Sequence, residues 1–124
     1  MSGREDACCT GDVKTLIVAC SGGSNVGQVA NNAMIELDKA GIGNAYCLAG
    51  IGAGLSGFIE SAKTAKTVII DGCPVGCARK VSEKYHIPPT KYFVVTKMGI
   101  EKKHAFDMLG TETNQAVDYI KSHI

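Results

Sequence analysis

"KTVIIDGCPVGCARK", residues 66–80, is the stretch on which the fold turns. Its first half is β-branched and apolar on both faces, as a strand buried inside a parallel sheet must be. Asp71, two glycines, Pro74 and two cysteines then stop the strand. Pro74 suits the first turn of a helix. That helix is expected to run from about Pro74 to His86, where "IPP" ends it.

The same strand–loop–helix unit recurs on either side. "KTLIVA" (14–19) is a buried strand that breaks at the Gly/Ser/Asn loop "CSGGSNVG". A helix is expected from about Asn25 to Lys39. Val29, Ala33, Leu37 and Ala40 share one of its faces, joined by Val26 and Met34. Gly41 and Gly43 end it. "NAYCL" (44–48) is a weaker strand that stops at the Gly-rich "AGIGAG", and "LSGFIESAKTA" (55–65) is a short helix. "KYFVVT" (91–96) is the fourth strand. "KMGIEKKHAFDMLG" reads as an irregular connection with one helical turn from His104 to Leu109. The last helix is expected over 111–122, with Thr111 and Thr113 as N-caps.

Four β-α units imply an α/β, three-layer αβα fold with helices on both faces of a four-stranded parallel sheet. Right-handed crossovers then favour a flavodoxin/Rossmann-like strand order 2-1-3-4. With 124 residues the natural count is one domain. It is placed at residues 13–124, after a flexible N-terminal tail at residues 1–12.

Composition removes several function classes. Apolar residues make up 45% and charged residues 20%, and the net charge is +1, which argues against a nucleic-acid partner. Three Phe, four Tyr and no Trp leave little for a base-stacking platform. "TLIVAC" is too short to span a membrane, and "MSGREDACCTGD" has no apolar core or cleavage site of a signal peptide. A cytoplasmic location is therefore expected. Six cysteines in a reducing compartment then point to metal or redox chemistry rather than a disulfide scaffold.

The cysteines have a pattern. Cys20, Cys47 and Cys73 each follow a strand, 27 and 26 residues apart. In an open parallel sheet those strand ends lie side by side along one edge. Neighbouring strands are about 4.8 Å apart, and four sulfurs on one Zn²⁺ stand roughly 3.8 Å from one another. Cys77, entering from the helix after strand three, supplies the fourth thiolate. Glycines 22, 23, 50, 52, 54, 72 and 76 allow close backbone approach, and helix N-termini favour thiolates. Arg79 and Lys80 are candidate cations for the site. A single cysteine at a strand end is usually a small buried hydrophobe; three at equivalent ends, joined by Cys77, read as a zinc site.

Other residues carry weaker signals. Asp71 could act as an acid or base, but a carboxylate at a strand end more often accepts from loop N–H groups. His86, His104 and His123 read as surface residues, since none pairs with a nearby Cys or His. Cys8 and Cys9 form an exposed pair in the tail, or a thiol pair that passes metal or sulfur to the main site.

"CSGGSNVGQ", "YCLAGIGAG" and "IDGCPVGCARK" together resemble the DGC-domain family of zinc-binding proteins, named for the motif that stands here as Asp71-Gly72-Cys73. The resemblance covers roughly residues 14–124. It implies zinc held by four cysteines, which map onto Cys20, Cys47, Cys73 and Cys77, and it implies no particular reaction. Two alternatives use the same cysteines: a thiol enzyme for redox or sulfur transfer, and an iron–sulfur protein. "CSGGSNVG" also resembles the Cys loop of low-molecular-weight phosphatases and arsenate reductases. Those loops need an Arg six residues after the Cys, and Val26 stands there. Neither a dinucleotide fingerprint nor a P-loop lysine is present.

Overall fold

A computed structural model of the chain describes residues 14–124. The expected tail, with Cys8 and Cys9, lies outside the described residues. Four strands, β1 (Thr15–Ala19), β2 (Asn44–Tyr46), β3 (Lys66–Asp71) and β4 (Lys91–Val94), pair in parallel in the order β2-β1-β3-β4. This is the order the alternation implies. The helices are α1 (Asn25–Lys39), α2 (Leu48–Gly52), α3 (Ser56–Thr64), α4 (Cys77–Lys84) and α5 (Leu109–His123), with a 3₁₀ turn at Val95–Met98.

The two faces of the sheet bury different clusters. Ile17, Val68, Ile70 and Phe93 pack with Val29, Ala33 and Leu37 of α1 and with Val117 and Ile120 of α5. On the other face Val18 packs with Ile51, Ile59 and Ala62, against partly buried Phe58 and Val81. Because β1 and β3 are covered on both sides, their sequences carry no polar alternation.

Element ends depart from the sequence reading for local reasons. The glycine-rich "LAGIG" forms α2, because Cys47 caps it and buried Ile51 anchors it. A Cβ at Gly50 would stand 2.5 Å from the Phe58 ring, so only glycine lets α3 lie this close. Helix α4 starts at Cys77 rather than near Pro74. Gly76, with φ +70°, turns the chain first, and its N–H donates to the Cys73 carbonyl. Strand β4 stops at Val94 and the chain coils into the 3₁₀ turn. No helical turn forms over 104–108; α5 begins at Leu109, without a side-chain cap. Ala40 is exposed at the end of α1, outside its buried stripe.

His86 shows how α4 ends. The Ile87 N–H donates to the Ser82 carbonyl and the His86 N–H to the Glu83 carbonyl, the paired bonds of a left-handed cap. The capping residue needs positive φ, and His86 sits at 58°. Helix α1 ends the same way but places Gly41 there, at φ +80°. His86→Gly is therefore expected to raise unfolding free energy by about 0.5–1 kcal/mol, the relief of left-handed strain less the added freedom of the unfolded chain. Urea melts of the two proteins check this; a lower midpoint for the variant would show that the exposed imidazole makes a contact worth more than the strain.

Candidate functional site

Strand register sets the cysteines at different heights. Val18 pairs with Tyr46, so Cys47 stands level with Ala19, one residue short of Cys20. Ala19 pairs with Ile70, which puts Asp71 level with Cys20 and Cys73 two residues beyond. At about 3.3 Å of rise per residue, the three strand-end cysteines thus stand at three heights, and register by itself singles out none of them.

Cys20, Cys73 and Cys77 line one cavity of about 310 Å³, with Gly22, Gly72 and Lys102 in its wall. Cys47 lines the adjoining cavity of about 570 Å³. Cys20 and Cys73 are half-buried, and Cys47 and Cys77 are exposed. Among the described residues, no three His, Cys, Asp or Glu side chains stand close enough together to hold a metal as they lie. The cavity thus gathers three of the four expected cysteines, but not at metal-binding distances as they lie.

Each sulfur has its own surroundings. Burial pushes the Cys20 thiol up; N–H groups of Gly72 and Gly22 pull it back, and the charges of Asp71 and Cys77 add to the rise. Burial thus disfavours the Cys20 thiolate, and a cation bound in the cavity would favour it. Lys102 Nζ donates to Cys73 Sγ at 3.4 Å. Cys77 is the first residue of α4, at the positive end of that helix. Cys47 Sγ accepts the Gly50 N–H at 3.3 Å.

Asp71 is committed to the fold. It is 1% exposed. Its carboxylate accepts from the N–H of Ala78 (2.8 Å) and Arg79 (3.0 Å), in the first turn of α4, and from Tyr92 Oη (2.8 Å). It is a cap supplied from the strand, which agrees with the N–H-accepting reading. Arg79 lies over the Tyr92 ring at 5.8 Å and reaches Glu83 at 3.6 Å, and Lys80 is exposed. Neither lines the three-cysteine cavity.

Lys102 is the cation at this site, and the sequence reading did not single it out. A fully buried Asn25 holds the segment that carries it. Asn25 Nδ2 donates to the Glu101 carbonyl (2.8 Å), Asn25 Oδ1 accepts the Lys103 N–H (2.7 Å), and the Asn25 N–H donates to the Lys103 carbonyl (3.0 Å). Both neighbours of Lys102 are thereby fixed to the start of α1. His104 Nδ1 lies 3.1 Å from the Gly23 carbonyl, a further tie between this segment and the loop after β1.

The donor set suits a thiophilic ion. Three sulfurs share one cavity, while the nearest carboxylate, Asp71, has both oxygens occupied by N–H and O–H donors. Soft thiolates with no free carboxylate favour zinc or an iron–sulfur cluster over magnesium or calcium. A site of three or four thiolates on Zn²⁺ has net negative charge, which Lys102 complements.

The DGC domain profile matches residues 16–120. The chain is also similar to the "Anaerobic and virulence modulator AnvM" of Pseudomonas aeruginosa, with 31% identity over 97 residues, 77% of this chain and 74% of that protein. No solved structure matches it. No helix among the described residues is long and apolar enough to cross a membrane.

Proposed function

The chain belongs to the DGC-domain family, and we propose that it is a cytoplasmic metal-handling protein that takes up zinc on Cys20, Cys47, Cys73 and Cys77. The observation that carries this reading is the shared cavity of Cys20, Cys73 and Cys77, with Lys102 against Cys73. Zinc bound there would draw the thiols into their thiolate forms. A handling or sensing role fits better than a scaffolding one. The sheet already has a buried cluster on each face, so the fold does not need a metal staple. Cys47 and Cys77 are exposed, so an ion would be reachable. A relative named as a modulator is in keeping with metal occupancy used as a signal.

The Lys102–Cys73 contact also favours a second reading, a thiol enzyme in which the ammonium supports a Cys73 thiolate. Elemental analysis of natively purified protein beside Cys73→Ser separates the two. The expected result is about one zinc per chain, lost in Cys73→Ser, with the melting point of the metal-free proteins nearly equal. Protein that holds no zinc but turns over a disulfide or persulfide would move the assignment to the thiol enzyme. Iron with visible colour would move it to a cluster.

A further inference from the structure

We propose that Cys47 is the exchangeable ligand of this site, with Cys20, Cys73 and Cys77 as its fixed part. The inference rests on the zinc reading above and divides the four cysteines by role.

Two observations separate Cys47 from the others. It lines a different cavity, walled by Ala19, Ser21, Tyr46, Leu48 and Val81, while the other three share theirs. Its sulfur is committed to a helix end: Cys47 is the N-cap of α2, and Sγ accepts the Gly50 N–H.

The last point gives the exchange its physical basis. A sulfur that turns toward the ion leaves the Gly50 N–H uncapped, and a sulfur that returns to Gly50 leaves a coordination place open. Two partners therefore compete for Cys47. None of the other three sulfurs caps a helix. The segment after Cys47 suits such motion. Helix α2 has five residues, and Gly54 follows it at φ +78°. So short a helix is held by its cap and its packing rather than by its own hydrogen bonds.

An open place beside three thiolates would accept a fourth from outside. The class of ligand is a thiol of an acceptor protein or small molecule. Its sulfur would take the place of Cys47, its proton would pass to the Cys47 thiolate, and no oxidation state would change. Cys47 is exposed, so an incoming thiol can reach it.

The test compares Cys47→Ser with Cys73→Ser in the full chain, because a serine hydroxyl also caps a helix and should preserve α2. Zinc content by elemental analysis, zinc release to a coloured chelator, and the thiolate-to-metal absorption of the Co²⁺-loaded protein are the readouts. Cys47→Ser is expected to keep about one zinc per chain, to release it about tenfold faster or more, and to lose one thiolate's share of the Co²⁺ band. Cys73→Ser is expected to hold almost none. Loss of zinc from Cys47→Ser as complete as from Cys73→Ser would make Cys47 a fixed ligand and overturn the proposal. An unchanged release rate and Co²⁺ band would show that Cys47 is no ligand, and would overturn it as well. Wild-type protein that takes up no zinc would instead overturn the zinc reading on which the proposal stands. Melting of the metal-free variants distinguishes a lost ligand from a lost fold.

Discussion

Gly72→Ala is expected to destabilise the protein by about 2–3 kcal/mol and to weaken metal uptake with it. A Cβ at Gly72 would stand 2.7 Å from the Gly27 nitrogen and 2.8 Å from the Val26 carbonyl carbon and oxygen. These are backbone atoms in the first turn of α1, so no rotamer change relieves the clash. Helix α1 cannot easily retreat, because a Cβ at Gly27 would itself stand 2.6 Å from the Gly22 nitrogen. Three backbone segments are thus stacked with no room for a side chain between them. Gly72 is also held from behind, where the Thr96 N–H donates to its carbonyl at 3.1 Å. The loop that must shift carries Cys73, so the shift moves one sulfur away from Cys20. Gly57→Ala is the control. Gly57 is in α3 with nothing within 4 Å of its Cβ position, and alanine there should stabilise by about 0.5–1 kcal/mol. Urea unfolding of both variants decides the matter. An unchanged midpoint for Gly72→Ala would show that the two loops are free to separate.

The Asp-Gly-Cys motif divides into three jobs, and this explains its order. Asp71, the last residue of β3, reaches forward to cap α4. Gly72 lets the loop pass against the backbone of α1. Cys73 can then place its sulfur in the cavity beside Cys20. A larger second residue would separate the loop from α1, and a loss of the acid would free the start of α4. The cysteine depends on both neighbours for its position.

The sheet was legible because its inner strands are apolar on both faces, which only a covered parallel sheet explains. The strand-end rule brings Cys20 and Cys73 to one edge of the sheet, where with Cys77 they line one cavity. The separate place of Cys47 was not legible. Its spacing of 27 residues from Cys20 matches the next step of 26, but spacing carries no information on which cavity a side chain lines. Lys102 was hidden for another reason. It is 29 residues from Cys73, in an irregular segment with no periodicity, and it reads as one charge in "EKK". What places it is Asn25, whose side chain is bonded to a segment 76–78 residues away. The "SN" before an apolar run signals a helix start, but the distant partner of its amide is a property of the tertiary fold.

Asp71→Asn is expected to cost about 2–4 kcal/mol, although it preserves shape. Three donors converge on a buried carboxylate: the N–H groups of Ala78 and Arg79 and the hydroxyl of Tyr92. An amide offers one accepting oxygen, and its NH₂ must face at least one of those donors. Either a helix N–H or the tyrosine loses its partner inside the protein, and the cap that starts α4 at Cys77 weakens. Tyr92 gives a second readout. Burial first, and then its hydrogen bond to Asp71, push the phenol from 10.0 up to about 12. Below pH 10 the phenol is protonated in folded and unfolded chains alike, so its interactions stabilise the fold in full. Between pH 10 and 12 the unfolded chain releases the proton and the folded chain keeps it, so stability falls as pH rises through that window. Tyr92→Phe should therefore be less stable than wild type at pH 8, and should lose its disadvantage progressively above pH 10. In Asp71→Asn the phenol should ionise at lower pH, visible in the ultraviolet absorbance of tyrosinate. An Asn variant as stable as wild type, with an unmoved tyrosine titration, would mean that solvent rather than Asp71 satisfies these donors, and that the first residue of the motif serves the site in another way.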